Sequence, residues 1–294
     1  MIDLLIPTVA QGLLWAVMAL GVYITFRVLD IADLTVEGSF PLGAATAAAM
    51  MVAGYGPGVS FLAAFLVGTL AGVITGLLHT KMKIPALLAG ILTMIALYSV
   101  NLRVMGKANL SLLGVDTAFK LAKSALGMNT AQTTLVVGLV VTVAVGVFLY
   151  WFFGTEIGAA IRATGFNQQM IRAQGINTDH TIILGLLLSN GLVAVSGALV
   201  AQSNGFADVG MGTGTIVIGL ASVIIGEVLF GTRSFKNCLI SVVLGSVVYR
   251  IVIAAVLAMG MPPNDLKLFT SVLVAIALSL PLIKAKLNSR KVVG

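Results

Sequence analysis

The sequence predicts an all-α integral membrane protein, a polytopic helical bundle of about nine spans within a range of eight to ten. Of its 294 residues, 59% are hydrophobic and only 9% are charged, and the mean hydropathy is +1.10. Soluble domains carry roughly 25% charged residues. Apolar runs of spanning length recur along the chain, so we expect one transmembrane domain over residues 1–294 with no soluble module appended.

The spans are placed by the length of the apolar runs and by the Gly, Pro and charged residues that separate them. The first lacks a basic start and is too long for a signal peptide, so we interpret it as a retained span. The second is short, rich in small residues and preceded by the polar segment DIADLTVEGSFP, which favours a broken or re-entrant element. The predicted spans are 5–26, 38–54, 58–80, 84–102, 132–153, 181–203, 213–231, 237–259 and 267–283.

The distribution of Lys and Arg predicts the orientation, because short cytoplasmic loops are enriched in positive charge. Eleven of the 17 basic residues share the side of the C-terminal tail: Arg27, Lys81, Lys83, Arg162, Arg172, Arg233, Lys236, Lys284, Lys286, Arg290 and Lys291. Five lie on the other side: Arg103, Lys107, Lys120, Lys123 and Lys267. We therefore expect a multi-pass protein of the cell membrane with a cytoplasmic C-terminus and an N-terminus outside.

Residues 154–180, GTEIGAAIRATGFNQQMIRAQGINTDH, form the only polar helical interval among the apolar runs. Residues 156–163 are rich in small side chains and predict a helix that stops at Gly165. Arg162 and Arg172 add positive charge. Because the predicted orientation puts this interval in the cytoplasm, we expect it to present a surface to another molecule.

A second short helix is predicted to complete a helix-turn-helix. Asn167 can cap it, residues 168–174 form it, and Gly175 stops it. The cap of the span that follows is one of three neighbouring residues: Asn177, Thr178 or Asp179.

Two segments share a weak internal similarity. Asp33 lies in ADLTVEGSFPLGAA and Asp208 in ADVGMGTGTIVIGLAS, and each leads into a small-residue helix start. The predicted topology puts them on opposite sides, as an inverted repeat requires, and such interruptions line substrate paths. Two ordinary Gly-rich turns are the equal alternative. The residues predicted near a pathway are Asp33, Thr35, Glu37, Ser39 and Asp208.

No pattern in the sequence predicts catalysis or metal binding. GxxxxGK[ST], HExxH and GxSxG are absent, Cys238 is a lone cysteine, and both histidines lie at span ends. The net charge of +7 is scattered between spans, so we expect no nucleic-acid partner. Two charges fall inside spans: Glu227 is expected to cap a loop amide or pair with Arg233, and Arg250 to bond backbone carbonyls or line a pathway.

The long outer loop contains VDTAFKLAKSAL, residues 115–126, which predicts an amphipathic helix. Such a helix can lie on the membrane surface or form a lip for a partner.

The run Gly-Ala-Ala-Ile-Arg-Ala-Thr-Gly-x-Asn followed by Ala-x-Gly-Ile-Asn resembles the coupling-helix region of ABC-importer permeases of the branched-chain amino acid and ribose type. Residues 32–45 resemble the Asp-Leu-Ser/Thr-Val motif of the same family. The resemblance implies an ATPase-docking role for the residues that match its coupling motif: Gly158, Ala159, Ala160, Arg162, Ala163, Thr164, Gly165, Asn167, Ala173, Gly175 and Asn177.

The resemblance also implies partners: two cytoplasmic ATPase subunits, an extracytoplasmic substrate-binding protein and a second permease subunit, with a homodimer as the expectation. ATP and Mg would bind those ATPases, and this chain itself would hold no cofactor. Glu37 stands where ribose-type permeases commonly have Gly. The substrate expectation is therefore an amino acid, aromatic in preference, with nucleosides and sugars left open.

The alternative is an ion-coupled secondary transporter that uses Asp33, Glu37 or Asp208 as its coupling site. Transport driven by an ion gradient without ATP would distinguish it from an ATP-driven importer. A structural membrane subunit has no feature of the sequence in its favour.

Overall fold

The computed structural model describes residues 2–260 and, beyond them, 262, 265–266, 268–272, 274–276 and 279. The helices in this part of the chain are α1 Ile2–Tyr23, α2 Val36–Val52, α3 Pro57–Thr80, α4 Ala86–Met105, α5 Ala118–Leu126, α6 Thr130–Gly154, α7 Glu156–Phe166, α8 Gln168–Ala173, α9 Thr178–Asn204, α10 Thr215–Phe230 and α11 Phe235–Ala258. Two short strands, β1 Asn109–Ser111 and β2 Phe206–Asp208, pair antiparallel.

The predicted all-α membrane bundle is confirmed. Within the described residues, seven helical segments are long and apolar enough to cross a membrane, and α2 is a shorter apolar helix of 17 residues. The predicted number of about nine spans was approximate. Of the predicted span 267–283, residues 268–272, 274–276 and 279 are described, and the others lie outside the described residues.

The helices alternate in direction, so their connections gather at two ends of the bundle. At one end, Lys81 after α3 contacts Asp179 at the start of α9, with 3.0 Å between Nζ and Oδ2. We call this the basic end. At the opposite end the backbone of Val209 donates to the carbonyl of Ala108 at 3.0 Å. The predicted grouping of loops therefore holds for the described part of the chain.

Helix α9 is the central element, and most of its residues are buried. Small residues allow neighbouring backbones to approach it closely: a Cβ on Gly43 of α2 would overlap the backbone of Ala194, and one on Gly72 of α3 would overlap Leu186. Close backbone contact of this kind is the usual basis of helix association in membranes. It fixes the middle of α2 against α9.

The second predicted span is the 17-residue apolar helix α2, which is shorter than the seven candidate spans and follows a non-helical segment. Helix α1 ends in a π-helical turn, Ile24–Val28, and residues 29–35 follow without regular structure before α2 begins at Val36. Asp33 of this segment contacts Asn190, which lies 12 residues along α9. At about 1.5 Å per residue, that contact is roughly 18 Å from the start of α9, well inside the bundle.

The long loop between α4 and α6 forms the predicted helix and one strand of a ribbon that was not predicted. Helix α5 begins after Thr117, whose hydroxyl accepts a hydrogen bond from the backbone of Lys120. Strands β1 and β2 pair Asn109 with Asp208 and join this loop to the segment before α10. Three-residue strands carry no periodicity that a sequence can reveal.

Candidate functional site

Helix α7 begins with a capped turn at the basic end of the bundle. The Thr155 hydroxyl accepts from the backbone of Gly158 at 3.3 Å. The helix extends to Phe166, so the predicted stop at Gly165 was wrong. Gly165 instead lies in the last turn, where a Cβ would overlap the carbonyl oxygen of Val28. Glycine is required here for close approach to the end of α1.

Helix α8 follows almost at once, begins at the predicted Gln168 and ends one residue before the predicted Gln174. The Asn167 side chain accepts from the backbone of Met170 at 3.0 Å, which caps the helix. The helix ends at Ala173, and Gly175 adopts φ +86°, a left-handed conformation that favours glycine. Asn177 caps α9 by accepting from the backbone of Asp179 at 3.0 Å. The helix-turn-helix is therefore present as predicted apart from its first stop.

The eleven residues predicted to dock an ATPase divide into an exposed and an inward-facing set. Six are exposed at the surface: Ala159, Arg162, Asn167, Ala173, Gly175 and Asn177. Three are half-buried: Ala160, Ala163 and Gly165. Gly158 and Thr164 are buried, and the Thr164 hydroxyl bonds that of Thr181 at 2.8 Å. The inward-facing members fasten α7 to the bundle, so a direct docking contact is open to the exposed ones.

Three large apolar side chains that sequence reasoning missed are exposed on the same two helices. Phe166 is 90% exposed at the α7–α8 junction, and Ile157 and Met170 are also exposed. Together with α7 and α8 they form a surface, residues 156–177, that we call the docking surface after the role that the family resemblance predicts for it. Exposed apolar side chains rimmed by polar residues mark interaction sites. Phe166 falls at the x of the matched run, which is why the motif did not single it out.

Arg172 is held against the start of α9. Its Nε donates to the Thr178 hydroxyl at 2.6 Å, and its Nη2 lies 3.6 Å from Asp179 Oδ1. Lys81 shares the same carboxylate. These contacts fix the far edge of the docking surface to α3 and α9.

A second polar feature lies inside the bundle, where α2 begins. Asp33 is 2% exposed, and its carboxylate accepts from the Thr35 backbone at 2.9 Å and from the Asn190 amide at 2.8 Å. Ser39 donates to Asn190 Oδ1 at 2.7 Å. We call these four residues the buried network. Three of the five predicted pathway residues therefore lie in it, joined through Asn190.

Hydroxyl groups extend the network towards α3 and α4. Thr35 Oγ1 lies 2.8 Å from Thr75 Oγ1, which donates to Thr93 Oγ1 at 2.9 Å. Buried polar groups are costly unless paired, so this chain of partners is what permits a carboxylate among packed helices.

Glu37 connects the two segments that share the internal similarity. Its Oε1 accepts from the backbone of Gly214, one residue before α10, at 3.0 Å. A Cβ on Gly212 would overlap the Glu37 carbonyl oxygen. The N-terminal ends of α2 and α10 thus meet, although the two helices run towards opposite ends of the bundle. This arrangement is the one an inverted repeat with broken helices requires.

Asp208, the fifth predicted pathway residue, lies apart from the buried network. It accepts from the backbone of Gly210 at 2.7 Å and from the Asn109 side chain at 3.2 Å. These bonds tie the turn before α10 to strand β1.

A cavity of 440 Å³ opens beside Glu37, between α2, α4 and the segment before α10. Its lining residues are Glu37, Gly38, Pro41, Met94, Ile95, Tyr98, Ser99, Asn101, Val209, Gly210 and Thr213. Asn101 donates to the Gly38 carbonyl, while its Oδ1 is buried without a hydrogen-bond partner. Glu37 is the one predicted pathway residue in this lining. Met94, Tyr98 and Asn101 are spaced so that they lie on one face of α4, and this spacing can be seen in the sequence alone.

A family model, described as the branched-chain amino acid transport system / permease component, matches residues 4–279. The chain belongs to this ABC permease family.

Curated relatives of this permease span most of its length. The tyrosine transport system permease protein of Clostridioides difficile (strain R20291) is 41% identical over 92% of this chain and 88% of its own. An uncharacterized protein of Rickettsia prowazekii (strain Madrid E) is 34% identical over 94% and 97%. The galactofuranose transporter permease protein YtfT of Escherichia coli (strain K12) is 30% identical over 85% and 71%. The named relatives are transport permeases.

The two charges predicted inside spans have partners in this permease that the sequence did not indicate. Glu227 forms an ion pair with Arg27 at the end of α1, with 2.9 Å between Nε and Oε1, so the expected pairing with Arg233 was wrong. The Arg250 guanidinium lies 4.2 Å from the centroid of the Trp15 ring, while its Nε is buried without a hydrogen-bond partner. A cation over an aromatic face is a stabilising contact when desolvated.

Proposed function

We propose that this permease is the membrane-spanning subunit of an ATP-driven importer that moves an amino acid, with tyrosine or another aromatic amino acid as the cargo. The relative that names tyrosine is 41% identical and the one that names galactofuranose is 30% identical, which favours the amino acid. Glu37, a carboxylate beside the 440 Å³ cavity, can accept from an ammonium group.

The observation that carries the proposal is the docking surface. It has short capped helices, an exposed Phe166, and inward-facing residues that fasten it to the bundle. ATP hydrolysis would take place on separate ATPase subunits docked there, with ATP and Mg bound to them. The basic end would then be cytoplasmic, as the positive-inside rule favours, with the C-terminus on the same side.

The proposed cycle moves the bundle through this surface. Closure of the ATPases on ATP would displace α7 and α8, and the contact between Gly165 and Val28 would carry that displacement to α1. An extracytoplasmic binding protein would deliver the substrate to the opposite end. A second copy of the permease would complete the pathway.

Uptake by proteoliposomes tests this proposal. The permease is co-reconstituted with its co-purifying ATPase and binding protein, and uptake of labelled tyrosine, leucine and ribose is measured with ATP inside. We expect tyrosine uptake that needs ATP and is competed by phenylalanine more strongly than by ribose. Uptake driven by an ion gradient without ATP would overturn the proposal in favour of a secondary carrier, and preferential ribose uptake would overturn the substrate assignment alone.

Orientation is tested separately. A single cysteine placed at Gln169, in a variant with Cys238 replaced by Ser, is labelled by membrane-impermeant maleimide in intact cells and in inverted vesicles. We expect labelling in inverted vesicles alone. Labelling in intact cells would reverse the orientation.

A further inference from the structure

A basic cavity of 620 Å³ lies where the end of α6 meets the start of α11. Arg162 of α7 and Lys236 of α11 both line it, and its lining contains no carboxylate. Both side chains are exposed, and the ion pairs found among the described residues involve neither of them. The cavity therefore presents two positive charges and no carboxylate of its own.

Arg162 is directed into this cavity by its neighbours. Its guanidinium lies 5.2 Å from the centroid of the Phe235 ring, and its Nη1 donates to the Phe153 carbonyl at 3.5 Å. Those contacts leave most of its five N–H donors for another acceptor. A planar guanidinium beside a lysine is the donor set that favours phosphate.

An apolar groove of 310 Å³ continues from the cavity between α6 and α11. Tyr150 and Lys236 line both spaces, so the groove begins where the cavity ends. It passes Gly146 and reaches Leu244, eight residues beyond Lys236 and about 12 Å further along α11. A Cβ on Gly146 would meet nothing within 4 Å, so the space beside this residue in the groove is open.

We propose that the cavity and groove together bind an anionic phospholipid, with its phosphate between Arg162 and Lys236 and one acyl chain along Gly146. The occupant must carry a negative head and an apolar tail, because the two spaces are continuous and differ in chemistry. A soluble anion leaves the groove empty, and a helix of a second copy leaves the two cations unpaired.

The surroundings agree with a site at the membrane interface. Tyr150 and Trp151 are exposed beside the cavity, and such aromatic side chains are enriched at headgroup level. Anionic lipids are concentrated in the cytoplasmic leaflet, and basic pockets between helices on that side bind their headgroups. The assignment to the cytoplasmic leaflet depends on the orientation proposed above. The assignment to an anionic phospholipid depends only on the cavity and the groove.

Native mass spectrometry of the full-length chain tests the site. The detergent-solubilised protein is incubated with an equimolar mixture of phosphatidylglycerol and phosphatidylcholine, and the retained lipids are counted. We expect preference for phosphatidylglycerol. Lys236→Gln should lower its apparent affinity about fivefold, the factor that one lysine contributes near an anionic surface. Lys236→Arg should restore it.

Gly146→Phe probes the groove independently of charge. The new ring fills open space, so the fold should be kept while retention of phosphatidylglycerol falls severalfold. For Lys236→Gln the matched control is Lys107→Gln, which removes an exposed lysine at the opposite end of the bundle. It should leave the retention of phosphatidylglycerol unchanged.

Three results would overturn the proposal. One is equal retention of both lipids by the unmodified protein. A second is full retention of phosphatidylglycerol by Gly146→Phe when Lys236→Gln loses it, which would indicate a site for soluble anions such as inorganic phosphate. A third is loss of the dimer in Gly146→Phe, measured by light scattering, with lipid retention unchanged, which would assign the groove to a second copy.

Discussion

The docking surface and the buried network contain the same kinds of residue in opposite environments. Both are polar interruptions of an apolar chain, with short Thr, Asn and Asp side chains. On the exposed part of the docking surface these side chains bond their own local backbone, as Asn167 does to Met170. In the buried network they bond across helices, as Asp33 does to Asn190. Local bonds leave the outer face available to a partner, whereas cross-helix bonds are part of the packing itself.

The largest effect is expected in the buried network. Asp33→Leu leaves one N–H of the Asn190 amide and the Thr35 N–H without acceptors, while the Asn190 amide keeps its bond to the Leu186 carbonyl. At 1–3 kcal/mol for each lost acceptor, the change should lower the free energy of unfolding by about 4 kcal/mol. Thermal denaturation of the purified protein measures the loss. Asp116→Leu is the control, since the same change at an exposed loop position should have little effect. Equal melting temperatures for the two variants would mean that the network does not stabilise the fold.

Gly165→Ala tests the contact that joins the two regions. The added methyl group overlaps the Val28 carbonyl oxygen, and overpacking of this kind costs about 2 kcal/mol. We expect a lower melting temperature and weaker coupling of ATP hydrolysis to uptake. Gly58→Ala is the matched control, because its Cβ meets nothing within 4 Å. If both variants behave alike, α7 is not fastened to α1 as described.

Phe166→Ala should separate docking from stability. Its side chain is 90% exposed, so the melting temperature should not change. Loss of an aromatic anchor at an interface costs about 2 kcal/mol, roughly a thirtyfold weaker affinity for the ATPase. Titration of labelled ATPase against the permease in nanodiscs measures it. Met259→Ala, also a highly exposed apolar residue but near the end of α11, is the control, and an unchanged affinity in Phe166→Ala would remove Phe166 from the docking surface.

The smallest effect is expected at the cap of α8. Asn167→Ala removes the acceptor for the Met170 N–H, which should destabilise that helix by about 1 kcal/mol. Hydrogen exchange at residues 168–173 should then speed up about fivefold, with global stability unchanged. Asn167→Asp keeps the acceptor and should exchange at the original rate. Slow exchange in Asn167→Ala would show that tertiary contacts, not the cap, hold α8.

The sequence predicted those features that depend on near neighbours. The cap at Asn167, the helix stop at Gly175 and a cap of α9 at one of residues 177–179 were predicted from neighbouring residues. The structure has all three, with Asn177 as the cap of α9. The spans follow from the apolar runs. Even the interrupted start of α2 followed from its polar lead-in and small residues.

The features that were missed depend on residues far apart in the chain. Gly165 was interpreted as a helix stop because a glycine near a helix end usually is one, and its contact with Val28 is invisible locally. Glu227 was expected to cap a loop amide or to pair with nearby Arg233, but it pairs with Arg27 across 200 positions. The buried network needs Asn190, which is 151 positions from Ser39 and 157 from Asp33 along the chain.

The contact of Gly165 with Val28 has a mechanical consequence. Side chains absorb small movements by changing rotamer, but a glycine seated on a carbonyl group has no side chain with which to do so. A push on α7 towards α1 must therefore shift the main chain at Val28. Five residues further along that chain is Asp33, hydrogen-bonded to the middle of α9. The backbone of residues 28–33 therefore links a helix at the surface of the protein to the centre of the bundle.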